Sequence, residues 1–77
     1  MAIGFVLIST TPAHENEVYN KLLRVPEIVE LHALFGEYDI IAKIEAENFD
    51  KLGKIVVNKI RCIDGVMDTK TLTGTMF

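Results

Sequence analysis

Residues 35–41 read FGEYDII, and two apolar runs meet there across the four polar residues Gly36, Glu37, Tyr38 and Asp39. Upstream, residues 28–35 alternate, with Val29, Leu31, Ala33 and Phe35 on one face and Glu30 and His32 on the other. Downstream, Ile40, Ala42 and Ile44 oppose Ile41, Lys43 and Glu45. A period of two marks a strand with one buried face, so two such runs around a short glycine-containing loop predict a β-hairpin. In that turn Gly36 supplies a positive φ, and Asp39 is expected to bond its own backbone.

Working outward, residues 2–9 (AIGFVLIS) form an almost wholly apolar run, which suits a strand buried on both faces. Its two sides are Ile3, Phe5 and Leu7 against Val6 and Ile8. A helix follows, with Thr11 as the expected N-cap, Pro12 in the first helical position and Pro26 as its stop. Val18, Leu22 and Val25 fall at i, i+4, i+7 and give that helix one apolar stripe. Beyond the hairpin, Asn48 caps a second helix in which Phe49, Leu52, Val56 and Ile60 form the stripe. Asp64-Gly65 ends it, and the threonine-rich stretch from Val66 onward is a last strand.

The order is therefore β-α-β-β-α-β in a single domain spanning 1–77. That is an α+β, ferredoxin-like arrangement, in which right-handed crossovers place both helices on one face of an antiparallel four-stranded sheet. The other face is left bare. A 77-residue core rarely stabilises itself unaided. One cysteine permits no internal disulfide, and two histidines make no metal cluster, so no metal and no cofactor is expected. Half of the residues are hydrophobic and the mean hydropathy is positive. These observations predict a homodimer that packs sheet against sheet, as in a dimeric α+β barrel. Phe5→Asp and Val6→Asp are both expected to disrupt such an assembly.

Net charge is −3 and the basic residues never cluster, which argues against direct nucleic-acid binding. No apolar run is long enough for a membrane helix, and no signal peptide precedes the first strand, so the expected location is the cytoplasm. The motifs of P-loops, nucleophile elbows, zinc proteases and dinucleotide-binding folds are absent. An enzymatic reading, as a small dimeric α+β barrel of the monooxygenase or isomerase kind, needs His14 or His32 buried beside a polar partner. The glycine loop instead offers free N–H groups to an anion, while Glu37 or Asp39 can accept from an ammonium, a pairing that suits a zwitterion. Thr69, Thr71, Thr73 and Thr75 share one face of the last strand and offer a row of hydroxyls.

The whole chain resembles the effector-binding (RAM) domain of the Lrp/AsnC transcriptional regulators. The resemblance is carried by FGEYDII, similar to the family's Gly-x-Tyr/Phe-Asp-Tyr/Ile hairpin, and by IDGVMDTKT (63–71), similar to its Pro-Gly-Val-x-x-Thr-x-Thr segment. Asp64 stands where proline is usual. The resemblance implies dimers that assemble into tetramers or octamers and bind a free amino acid between them. By position it implies ligand contacts from Gly36, Glu37, Tyr38 and Asp39, with Thr69, Thr71 and Thr73 second. Because Met1 leads straight into the first strand, it implies a stand-alone domain without the helix-turn-helix, which would act on its own or through full-length Lrp/AsnC-type regulators.

Overall fold

The first strand, β1 (Ala2–Thr10), is the centre of the sheet, hydrogen-bonded to β3 (Ile40–Ala46) on one side and β4 (Val66–Thr73) on the other. With β2 (Ile28–Ala33) outside β3, the antiparallel order is β2-β3-β1-β4, the ferredoxin-like fold. The structure, a computed structural model, describes residues 1–74, so the expectation for Thr75 lies outside the described residues. Register carries the sequence alternation into space. Val6 sits opposite Ala42 and Thr71, and Ile8 opposite Ile40 and Thr69, all on the face beneath the helices. Ile3, Phe5 and Leu7 point to the other face.

Helices α1 (Glu15–Leu22) and α2 (Phe49–Ile55) cover the first of these faces. Val18 and Leu22 from α1 and Leu52 from α2 join Val6, Ile8, Ile40, Ala42 and Ile44 in one core cluster. Leu52 lies directly over Gly4, where a Cβ would come within 3.0 Å of its methyl carbons. Lys59 donates to Glu27 Oε2 at 2.6 Å, tying the entry to β2 to the end of the second helical segment. That hydrogen bond from Lys59, with one from its own backbone, holds the Glu27 carboxyl below the usual carboxylate value.

Five local expectations are corrected. Pro12 does not open α1. His14 N–H donates to Thr11 O at 3.0 Å and Ala13 has φ of 69°, so Thr11–His14 is a tight turn with proline at its second position, as in type II. The helix begins only at Glu15, with His14 as its N-cap. It also ends at Leu22, ahead of Pro26, because Arg24 and Val25 donate to the carbonyls three residues back and tighten the chain out of the helix. In β2, Ile28 pairs with Ile44 but Glu30 with Lys43, so Val29 is the extra residue of a β-bulge. The bulge puts Ile28, Leu31 and Ala33 on the helix side and leaves Val29 47% exposed, and because the strand stops at Ala33 Phe35 is fully exposed. Phe49, expected in the core stripe, is 56% exposed at the first residue of α2. Val6 is wholly buried beneath the helices, so Val6→Asp would unfold the monomer rather than report on an interface.

The Asn48 cap forms as expected, its Oδ1 accepting Lys51 N–H at 2.8 Å. Beyond α2 the chain widens into a π-helical segment, Val56–Ile60, with Arg61 N–H donating to Val56 O at 2.8 Å. Leu52, Val56 and Ile60 are spaced by four, and on an ideal α-helix Ile60 would drift about 80° from Leu52. The wider turn cancels that drift and keeps all three in the core.

Two glycines take left-handed backbone. Gly36 has φ of +140° with nothing within 4 Å of where a Cβ would stand. Gly65 has φ of +102°, and a Cβ there would lie 2.9 Å from Val18 Cγ2 and 3.3 Å from His14 Cβ. Gly36→Ala is expected to cost only the backbone term, about 1 kcal/mol, and Gly65→Ala to cost more because contact is added to strain. Urea unfolding of the two variants checks the order, and equal losses would contradict it.

Candidate functional site

Loop 34–39 is closed at its base by Leu34 N–H donating to Asp39 O at 2.7 Å. Asp39 then anchors the loop to the sheet. Its N–H donates to Ile8 O at 2.9 Å, and its Oδ2 accepts from Thr10 N–H at 2.8 Å and Thr10 Oγ1 at 3.1 Å. The expected bond from the Asp39 side chain to its own turn is replaced by this long-range pair. Thr10 is 6% exposed, a buried polar residue at the end of a hydrophobic strand, and Asp39 Oδ2 accepts from both its N–H and its hydroxyl. Thr10 was missing from the sequence-derived site. Its signal was phase: it continues the buried alternation of Val6 and Ile8, where only a partnered polar group is tolerated.

Above this anchor the loop is open to solvent. Gly36 and Glu37 are exposed and Tyr38 is half-buried. The N–H groups of Phe35, Gly36, Glu37 and Tyr38 have no backbone partner among the described residues. The loop therefore presents successive donors beside two carboxylates, with one Asp39 oxygen already taken up by Thr10.

The threonines lie elsewhere in the chain. Thr69, Thr71 and Thr73 share the helix-side face of β4, the edge strand opposite to β2. Thr69 is half-buried, and Thr71 and Thr73 are exposed. Asp39 and Thr69 flank Ile8 from opposite sides, two strand spacings or about 10 Å apart. The hairpin residues and the threonine row thus form two groups that one chain does not bring into contact.

The histidines of the enzymatic reading are both exposed. His14 Nδ1 is 3.1 Å from Pro12 O. His32 Nε2 is 3.5 Å from Glu30 Oε1 on the helix-free face, and the hydrogen bonds from His32 and Lys43 hold the Glu30 carboxyl below its usual value. Several hollows mark the surface of the described residues. One of about 570 Å³ lies at the far end of the sheet among Met1, Pro26, Glu27 and Glu45, away from the hairpin. One of about 350 Å³ lies at the foot of the hairpin.

Comparison with known proteins adds the family. The model of the Lrp/AsnC ligand binding domain matches residues 3–73. The chain belongs to the Lrp/AsnC family. An uncharacterised HTH-type transcriptional regulator of Pyrococcus furiosus is 39% identical over 74 residues, which cover 92% of this chain and 49% of the relative. This Lrp/AsnC chain thus spans about half the length of the curated relatives it matches. Among solved structures, FFRP-DM1 is similar at 35% identity and a TM-score of 0.92, over 97% of this chain and all of that one. A transcriptional regulator of Neisseria meningitidis, solved as a complex with L-Met, has a TM-score of 0.86 over 97% of this chain and 50% of its own. At 19% identity that likeness is one of fold. No helix is long and apolar enough to cross a membrane among the described residues.

The anchor generates a stability prediction. Asp39→Ala strips a buried N–H of its partner and is expected to cost about 1–3 kcal/mol. Asp39→Asn, which keeps an acceptor, is expected to cost clearly less. Denaturant titration separates the two, and equal behaviour would show that the Thr10 pair does not hold the hairpin.

Proposed function

We propose that this chain is the effector-sensing unit of an oligomeric Lrp/AsnC-type regulator and that its effector is a free amino acid. The observation that carries the reading is the row of N–H groups from Phe35 to Tyr38, without a backbone partner among the described residues, beside the carboxylates of Glu37 and Asp39. Loop N–H groups receive the effector's α-carboxylate, and Glu37 with the remaining Asp39 oxygen receives its α-ammonium. Gly36 permits the loop its shape, and the Tyr38 ring supplies a wall. The threonine row, too distant within one chain, serves the site of a neighbouring copy. Membership of a ligand-binding family and relatives named as transcriptional regulators support this reading. So does the Neisseria regulator, whose complex holds a free amino acid. The exposure of His14 and His32 favours it over the enzymatic alternative.

Assembly is part of the proposal. The helix-free face carries Ile3, Phe5 and Leu7 from β1, Ile41 from β3 and Leu72 from β4, framed by Lys43, Glu45, Asp68 and Lys70. Phe5 is still 38% exposed at the centre of this patch. A second copy covers it sheet to sheet, and dimers associate further into tetramers or octamers, alone or with full-length relatives. With net charge −3 the domain leaves DNA contacts to another part of the assembly.

Two measurements test this. A thermal-shift screen of the proteinogenic amino acids is expected to find at least one that raises the midpoint, since a ligand at 100 times its Kd adds about 2.7 kcal/mol per site. Calorimetry on Asp39→Asn, which retains the Thr10 anchor, is then expected to show roughly tenfold weaker binding, the scale of one charge-assisted hydrogen bond. No shift with any amino acid sinks the effector reading. For assembly, Phe5→Asp is expected to sediment as a monomer where the wild type is a dimer or larger, because association would bury an unpaired charge. A multimeric Phe5→Asp variant would contradict the interface.

A further inference from the structure

Loop 34–39 stands on a carboxylate whose two oxygens have different surroundings. Asp39 Oδ2 meets the buried end of β1 and accepts twice, from Thr10 N–H at 2.8 Å and from Thr10 Oγ1 at 3.1 Å. Oδ1 has no partner among the described residues. Asp39 is only half-buried, and among those residues Glu27 Oε1 alone is an unpartnered side-chain oxygen sealed from water. Asp39 Oδ1 is therefore within reach of solvent. The carboxylate has an inner oxygen bound to the sheet and an outer oxygen that is free.

Both inner donors belong to one residue, and that residue is itself clamped. Thr10 pairs with Val66 of β4, and Ile8 O just before it accepts Asp39 N–H at 2.9 Å. Just after it, Thr11 N–H donates to Gly65 O at 2.8 Å. At 6% exposure the Thr10 side chain has no water to turn toward. A carboxylate held by the N–H alone could pivot about that single bond. The hydroxyl supplies a second point of attachment, which fixes the plane of the group and the direction of its outer oxygen.

We propose that Thr10 is a positioning residue of the effector site, aiming the outer oxygen of Asp39 toward the open side of the loop to receive the effector's α-ammonium. The inference rests on the effector-binding reading above. Thr10 acts through Asp39 and touches no ligand itself. The same geometry dictates how an amide behaves at that position. In Asp39→Asn the two Thr10 donors keep the carbonyl oxygen on the inner side, so the NH2 group turns outward and meets an ammonium donor to donor.

The test is a double-mutant cycle read by isothermal calorimetry on the full chain, with the proteinogenic amino acids as probes in turn. Thr10→Val keeps the β-branched shape and the backbone donor and removes only the hydroxyl. It is expected to weaken binding about fivefold, within the range found for residues of one hydrogen-bonded network. Thr10→Ser restores the donor and is expected to bind within about twofold of the wild type. Thr10→Cys, a weaker donor of similar size, is expected to fall between them and covers the case in which Val disturbs folding. Added to Asp39→Asn, Thr10→Val is expected to leave the affinity unchanged or to raise it, because the amide is then freer to turn its carbonyl outward. A merely structural role for Thr10 would weaken binding by the same factor in both backgrounds, and that result would overturn the inference. Wild-type affinity in Thr10→Val would overturn it as well, and the effector reading would survive with Glu37 as the acceptor. If no amino acid binds the wild type, both fail.

Discussion

The structure depends on β1 being hydrogen-bonded along both edges while its two faces meet different surroundings. Beneath the helices, Val6 and Ile8 lose all contact with water and tie both helices to one sheet. On the opposite face, Ile3, Phe5 and Leu7 have no covering layer among the described residues, and Phe5 is exposed. Because successive side chains of a strand point to opposite sides, a run apolar at every position cannot be buried by one layer of helices. The same strand ends at Thr10, whose buried N–H makes the Asp39 carboxylate necessary. One strand thus sets the core, the bare face and the foot of loop 34–39.

Much of this was legible in the sequence because periodicity is a local property. The alternation of residues 40–46, the Asn48 cap and the order of elements all follow from neighbours within a few positions. The failures share a different cause. Pro12 has a fixed φ that serves the first turn of a helix and the second position of a tight turn equally, and only the backbone of Ala13 decides between them. The bulge at Val29 reverses the facing of one residue without any change in composition. A four-residue spacing across Leu52, Val56 and Ile60 departs from the α-helical period, and the π-helical widening is its structural counterpart.

The candidate site was half legible for the same reason. Loop residues declare themselves by type, since glycine, tyrosine and acids at a hairpin tip are a local pattern. The bond that defines Asp39 spans 29 positions, and nothing near Asp39 in sequence announces Thr10. The threonine row was visible as a pattern, whereas its separation from the hairpin by the width of the sheet follows from strand order alone. The hollow beside the loop combines an α1 residue with two strand ends, which periodicity treats as unrelated.

The bulge at Val29 also bears on solubility at high concentration. An outer strand with a regular ladder exposes a row of unpaired N–H and C=O groups that invites further strands, and a protein rich in apolar residues is at risk of sheets growing end on end without limit. An extra residue twists β2 locally and breaks the spacing that an incoming strand would have to match. Growth by strand addition along that margin is thereby discouraged.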